Sequence, residues 1–155
     1  MSNNTKNLLL LGHRITILWI LALVCCSADG LAQSYETRVV VSGLSRPTGI
    51  EAKGSETLFF TQLPTPGVSG MQGGSNTVNK VNLASGKITV LTLGEPEPTN
   101  LAFSKGVLYW TCKSAGVILQ RQSNGTVSLF LGGLSHPSGI SVDSWDRVYF
   151  TQLPT

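Results

Sequence analysis

GLSRPTGIEAKGSETLFFTQLPT (Gly43–Thr65) returns 90 residues later as GLSHPSGISVDSWDRVYFTQLPT (Gly133–Thr155), ungapped and with 12 of 23 positions identical. A weaker third copy, EPEPTNLAFSKGVLYWTCKSA, lies between them. In it Pro98-Thr99-Asn100-Leu101 stands for Pro47-Thr48-Gly49-Ile50, and Leu108-Tyr109-Trp110-Thr111 stands for Leu58-Phe59-Phe60-Thr61. Successive prolines are 51 and then 39 residues apart, a mean of 45. Self-similarity at a period of roughly 20–50 residues marks a repeat architecture, whose units bury their apolar faces on their neighbours. The echo therefore spans two units rather than one.

Each unit has the same internal order. A short apolar run ends in Gly or a turn (Val39–Val41, Val90–Leu93, Leu129–Leu131), and a loop then carries x-Pro-[Thr/Ser]-[Gly/Asn]. A strand follows (Gly49–Ala52, Asn100–Phe103, Gly139–Val142), then a polar turn and an aromatic strand (Leu58–Thr61, Leu108–Thr111, Val148–Thr151). Short β-branched and aromatic runs bounded by Gly, Pro, Asn and Ser read as strands. Asn76–Asn82 and Ile88–Leu93 supply two more around the turn Ala84–Lys87. Val117–Arg121 and Thr126–Leu131 do the same across Ser123-Asn124-Gly125, and Asn-Gly between apolar runs is a strong hairpin signal. Four antiparallel strands per ~45 residues is the pattern of a propeller blade. The fold class expected is all-β, a β-propeller of four-stranded antiparallel blades with about two and a half blades present.

The stretch LFFTQ…NTVNKVNLASGKITVLTLGEPEPTNLAFSKGVLYWT resembles the repeats of extracellular six- or seven-bladed propellers. Nearest in style are NHL and YWTD repeats, the gluconolactonase/regucalcin group and streptogramin lyase, and the resemblance covers Val39–Thr155. It implies a propeller, six-bladed for preference, without choosing among these families. A closed ring of six blades at this period takes about 270 residues, against 155 here. A fragment or a truncated gene is therefore expected, with a half-propeller completed by self-association through open blade edges as the alternative.

Ahead of the repeats, Lys6, His13 and Arg14 flank an apolar core, Ile15–Cys26, and Gly30-Leu31-Ala32 places small residues before Gln33. These are the three parts of a secretory signal peptide. The expected domains are a signal peptide at 1–32, a short linker at 33–38 and a partial propeller at 39–155, with repeats starting near 43, 94 and 133. The expected localisation is secreted, periplasmic or cell-surface. Membrane contact is expected only if the segment stays uncleaved, since its core is short of the ~20 apolar residues of a bilayer span. Cleavage would remove Cys25 and Cys26 and leave Cys112 alone, without an intrachain disulfide partner. With 12% charged residues and a net charge of +3, the chain lacks the dense basic face of a nucleic-acid binder.

On a propeller frame the Pro loops and the exits of the aromatic strands share one rim. The ligand-binding candidates there are Arg46, Thr48, Gln62, Glu97, Asn100, His136, Ser138 and Gln152, with Cys112 at the equivalent exit of the middle copy. Equivalent positions filled differently in each repeat are how a repeat scaffold builds an asymmetric site. Against this, Pro sets a turn, Thr and Ser hydroxyls cap it and Gly permits close packing, a structural role that suits Pro47, Gly49, Pro137 and Gly139. Resemblance to gluconolactonase implies a divalent cation held by Glu, Asn and Asp, and hard oxygen ligands suit Ca²⁺ or Mg²⁺. The early acidic motif of that group is missing, and Asp143 and Asp146 read as solvated turn formers away from the rim. The lyase resemblance implies a His base with an acid and a metal, for which His136 and Glu97 are the one pair on offer. No cofactor or metal site is expected from this chain alone. Ca²⁺ or Mg²⁺ enters only if enzyme-like blades lie outside it.

The function expected is a non-enzymatic binding or scaffold module, whose rim takes a small molecule, glycan or protein. The alternative is the N-terminal piece of a propeller hydrolase or lyase. Pro64–Ser75, rich in Pro and Gly, accounts for the longer first interval and is expected as a mobile loop over the rim. Asn124-Gly125-Thr126 fits an N-glycosylation sequon, although the hairpin turn alone explains it.

Overall fold

The computed structural model describes residues 36–66 and 76–154. The expected signal peptide at 1–32, residues 33–35 of the expected linker, Gly67–Ser75 of the long loop and Thr155 lie outside the described residues. The chain divides into two units, Met1–Arg38 and Val39–Thr155. The second holds ten strands, and no helix occurs among the described residues.

Strands β1 (Pro47–Lys53), β2 (Thr57–Gln62), β3 (Thr77–Asn82) and β4 (Ile88–Leu93) form one antiparallel meander. Strands β5 (Pro98–Ser104), β6 (Val107–Cys112), β7 (Val117–Arg121) and β8 (Val127–Leu131) form a second. Strands β9 (Pro137–Val142) and β10 (Val148–Gln152) pair as the start of a third. The first strands of the three sheets, β1, β5 and β9, stand next to one another in that order. This is the radial stacking of propeller blades, two complete and one half-built.

The middle blade shows why alternation specifies this arrangement. Leu101, Leu108, Trp110 and Cys112 point to the first blade, where they meet Phe59 and Val78. Their chain neighbours Ala102 and Tyr109, together with Ile118, point to the third blade and meet Ile140 and Phe150. A two-residue period sends successive side chains to opposite faces, so a strand buried on both sides reads as nearly continuous apolar sequence. LYW at Leu108–Trp110 is such a run. Phe59 stacks on Phe103 across the first interface, with ring centroids 5.4 Å apart.

The proline of each repeat begins the innermost strand, two residues earlier than the sequence pattern suggests, and a register shift follows it in all three blades. Proline cannot donate to the ladder, so a bulge is the expected accommodation. The bulge frees the next hydroxyl to reach sideways. Thr48 Oγ1 pairs with Thr61 Oγ1 at 2.9 Å and donates to the Pro98 carbonyl at 3.0 Å, and Thr61 Oγ1 donates to the Thr99 carbonyl at 3.1 Å. One blade on, Thr99 Oγ1 pairs with Thr111 Oγ1 at 2.8 Å, and Thr111 Oγ1 donates to the Ser138 carbonyl at 2.7 Å. The Pro-Thr element and the Thr that ends each aromatic strand thus form one blade-to-blade lock.

Gly49 belongs to the same lock, because a Cβ there would lie 2.6 Å from the Thr99 carbonyl oxygen and 2.8 Å from Asn100 Cα. The expected Asn-Gly hairpin joins β7 to β8, with Asn124 Oδ1 accepting from the Thr126 N–H at 2.9 Å and Gly125 at φ 94°. Val39–Val41 departs from expectation. It matches β4 and β8 in sequence but carries no strand, since no described strand lies beside it to complete a ladder.

Candidate functional site

Because β1, β5 and β9 run side by side from their prolines, the residues preceding Pro47, Pro98 and Pro137 come to one edge. Those residues are Arg46, Glu97 and His136, and all three have left-handed backbone, with φ of 33°, 54° and 45°. Non-glycine residues rarely adopt this region, and it costs of order 1–3 kcal/mol each unless the surroundings impose it. Here they do. The Arg46 carbonyl accepts from Leu63 N–H at 3.2 Å and the Glu97 carbonyl from Lys113 N–H at 3.0 Å, while in the third blade Leu153 N–H reaches the Ser135 carbonyl at 3.1 Å. The exit of each aromatic strand therefore clamps the loop that enters the same blade, and three side chains of different charge are displayed at equivalent points.

The eight candidates have different surroundings. Arg46 Nη1 donates to the Pro64 carbonyl at 3.2 Å, while Glu97 is half-buried and His136 exposed. The Thr48 hydroxyl is occupied by the blade lock, and Ser138 contributes its carbonyl to that lock. Asn100 Oδ1 accepts from the Leu101 N–H at 2.9 Å, and Gln152 Oε1 accepts from the Ser135 N–H at 3.1 Å. Gln62 lines a groove of about 290 Å³ on the free face of the first blade, with Leu44, Phe60 and Val90. The shared rim is thus carried by Arg46, Glu97 and His136.

Sequence reading missed two features, the first at this edge and the second within the blade interface. Lys113 and Ser114 line an open pocket of about 350 Å³ with Ser135 and His136, which adds an ammonium beside the imidazole. The signal for it was present: the middle repeat leaves its aromatic strand as Thr-Cys-Lys where the others continue Thr-Gln-Leu. The second is Glu51, whose Oε1 accepts from Phe103 N–H at 3.1 Å across the first blade interface, a structural use of a carboxylate.

Cys112 is fully buried, and its thiol is pushed up to about 12. Burial is the main cause and the charge of Glu95 the second, with the indole of Trp110 pulling the other way. It is a packing residue, not a nucleophile. At the opposite end, Asp143 and Asp146 lie in the β9–β10 turn. Asp146 takes Lys105 of the neighbouring blade as its ion-pair partner and Asp143 takes Arg147. Among the described residues, no three His, Cys, Asp or Glu side chains gather as a metal site.

No protein-family model matches the chain, and no curated protein matches it. Solved structures do. A nidogen/laminin complex is matched at 18% identity and TM-score 0.56, over 68% of this chain and 39% of that one. Virginiamycin B lyase from Staphylococcus aureus is matched at 22% identity and TM-score 0.55, over 76% and 38%. A streptogramin B lyase is matched at 21% identity and TM-score 0.56, over 72% and 36%. The chain spans less than two-fifths of the length of each of these structures. At such identities the likeness speaks for the fold alone: the described residues are two and a half blades of a β-propeller.

Proposed function

We propose that this chain is a secreted or cell-surface propeller module that binds a protein partner through the rim carrying Arg46, Glu97 and His136. The observation behind this reading is the shared left-handed backbone at those three positions. A costly conformation imposed three times, each time on a different side chain, suits a recognition surface better than a packing one. A rim with a guanidinium, a carboxylate, an imidazole and the ammonium of Lys113 matches the mixed charges of a polypeptide. The matched complex of nidogen with laminin supports protein binding as a use of this fold. Export by the N-terminal segment and a six-bladed ring belong to the same reading.

The test displays the full chain against an array of extracellular proteins. Binding is expected to fall at least tenfold in the combined Arg46→Ala, Glu97→Ala and His136→Ala variant and to be unchanged in Asp143→Asn, at the far end of the blades. The opposite pattern would overturn the assignment of the rim. N-terminal sequencing of exported protein should begin at Gln33. The second reading, a lyase piece, is favoured by the two lyase matches. It would replace the first if the chain turned over quinupristin, the compound bound in one of the matched lyase structures, as followed by chromatography.

A further inference from the structure

The hairpin between β7 and β8 carries Asn124-Gly125-Thr126, yet the turn itself does not call for that combination. The first blade makes the equivalent hairpin, between β3 and β4, with Ser85-Gly86-Lys87. Both glycines have left-handed backbone, with φ of 67° at Gly86 and 94° at Gly125. Each donates its N–H back across the turn, Gly86 to the Asn82 carbonyl at 2.8 Å and Gly125 to the Gln122 carbonyl at 2.9 Å. The side chain before the glycine also does the same work in both. Ser85 Oγ accepts from the Lys87 N–H at 3.3 Å, and Asn124 Oδ1 accepts from the Thr126 N–H at 2.9 Å. Glycine is the shared requirement and a serine suffices before it. What Asn124 and Thr126 add is an exposed amide nitrogen and an exposed hydroxyl, neither with a hydrogen-bond partner among the described residues.

The place of this turn is equally specific. Strands β5 and β7 run away from the rim and β6 and β8 return to it, so the β7–β8 turn lies at the end of the blade opposite Arg46, Glu97 and His136. The middle blade has a neighbour on each side, and β8 is the outermost strand of its sheet. Exposure of the turn therefore belongs to the outer border of the blade. The free edge of β8 starts beside it, and such edges are protected by polar or bulky cover.

We infer that Asn124 is the acceptor of an N-linked oligosaccharide, attached as the chain passes through a secretory compartment; this rests on the export that belongs to the reading above. Beyond residues 1–32, Asn124 is the one asparagine followed two positions later by Ser or Thr. Asn3 has that spacing to Thr5 but lies in the expected signal peptide. In the transfer, Asn124 Nδ2 bonds to the anomeric carbon of an oligosaccharide carried on a lipid diphosphate. The bond from that carbon to the phosphate oxygen breaks, the lipid diphosphate leaves with the electron pair, and Nδ2 gives up one proton. The attached glycan, bulky and hydrophilic, shields the open edge of β8 and leaves the rim clear.

The test expresses the full chain in a eukaryotic secretory host, once with its own N-terminal segment and once with the host's signal peptide in place of residues 1–32. Cells and medium are treated with peptide N-glycosidase in water enriched in heavy oxygen, and Asn124 is read by peptide mass spectrometry. The isotope separates released sites from spontaneous deamidation at Asn-Gly. Behind the host's leader, most copies should carry a glycan at Asn124. Asn124→Ser, which reproduces the turn of the first blade, should lose the glycan and keep the circular dichroism of the wild type. Thr126→Val should lose it as well, and Thr126→Ser should retain it. An unmodified Asn124 behind the host's leader overturns the inference, as does modification that survives Thr126→Val. A glycan that appears behind the host's leader but not behind the chain's own refutes export while upholding Asn124 as the acceptor, so the two claims fail separately.

Discussion

Replacing Thr111 by Val keeps the size of the side chain and deletes one oxygen, and that oxygen has three partners. It donates to the Ser138 carbonyl at 2.7 Å, accepts from the Asn100 N–H at 3.1 Å and pairs with Thr99 Oγ1 at 2.8 Å. Thr111 is fully buried, and Thr99 and Asn100 are half-buried. Each polar group orphaned in such a setting costs about 1–3 kcal/mol. Ser138 is exposed and Thr99 has other carbonyls within reach, so the lower end of that range applies to both, and with about 1–3 kcal/mol for the Asn100 N–H the sum is about 3–5 kcal/mol. Thr151→Val is the control, because Thr151 is exposed in the half-built third blade and accepts from the Gly139 N–H at 2.9 Å. Its cost should stay near the ~1 kcal/mol of one ordinary hydrogen bond. Urea unfolding followed by tryptophan fluorescence reads both variants by linear extrapolation. Equal losses, or a Thr111→Val loss no greater than that of Thr151→Val, would refute the claim that the repeated threonine holds blade to blade.

Three further outcomes follow from the same geometry. Gly49→Ala should destabilise the chain by about 1–3 kcal/mol in the same unfolding assay, because its Cβ would overlap the backbone of the next blade. Gly139→Ala should cost less, since it meets only Thr151 Oγ1 closely, at 3.0 Å. The Asp146 carboxyl is held below its ordinary range by hydrogen bonds from Lys105 and Ser104. For Asp143, desolvation pushes upward but is outweighed by hydrogen bonds from Arg147, Trp145 and Tyr149. A depressed folded-state value means that both contribute stability above the unfolded carboxylate value of about 3.9 and lose it as pH falls below that through the folded values. The stability difference between wild type and the Asp143→Asn, Asp146→Asn pair should therefore be constant at neutral pH and shrink in acid, measured by urea titrations across that range. Cys112, with its thiol at about 12, should resist iodoacetamide in the native chain at mildly alkaline pH and react in denaturant, as read by peptide mass spectrometry.

Strand identity was legible because the local pattern and the tertiary environment agree. Trp110 and Tyr109 sit in adjacent positions of a run that must be buried on both faces, and only a two-sided interior accounts for both. The inner strands began earlier than the pattern suggested, since Pro47, Pro98 and Pro137 look like loop residues until a bulge admits them to the ladder. The rim was legible as a set of equivalent positions but not as a set of roles. Thr48 and Asn100 resemble ligand contacts in sequence, yet one hydroxyl locks two blades and one amide folds onto its own backbone. What single positions could not reveal is the left-handed backbone at Arg46, Glu97 and His136, because it arises from carbonyls clamped by residues far along the chain. Lys113 escaped for a similar reason: its neighbourhood with His136 is made by the fold.

The lock between blades uses main-chain carbonyls and a hydroxyl that every copy carries, while the residue just before each proline takes no part in it beyond its backbone. Copying a blade therefore transmits the means of assembly intact and leaves one outward position per copy open to change. A lineage of such chains can vary the side chains at Arg46, Glu97 and His136 by single codons, with no revision of how its parts fit together.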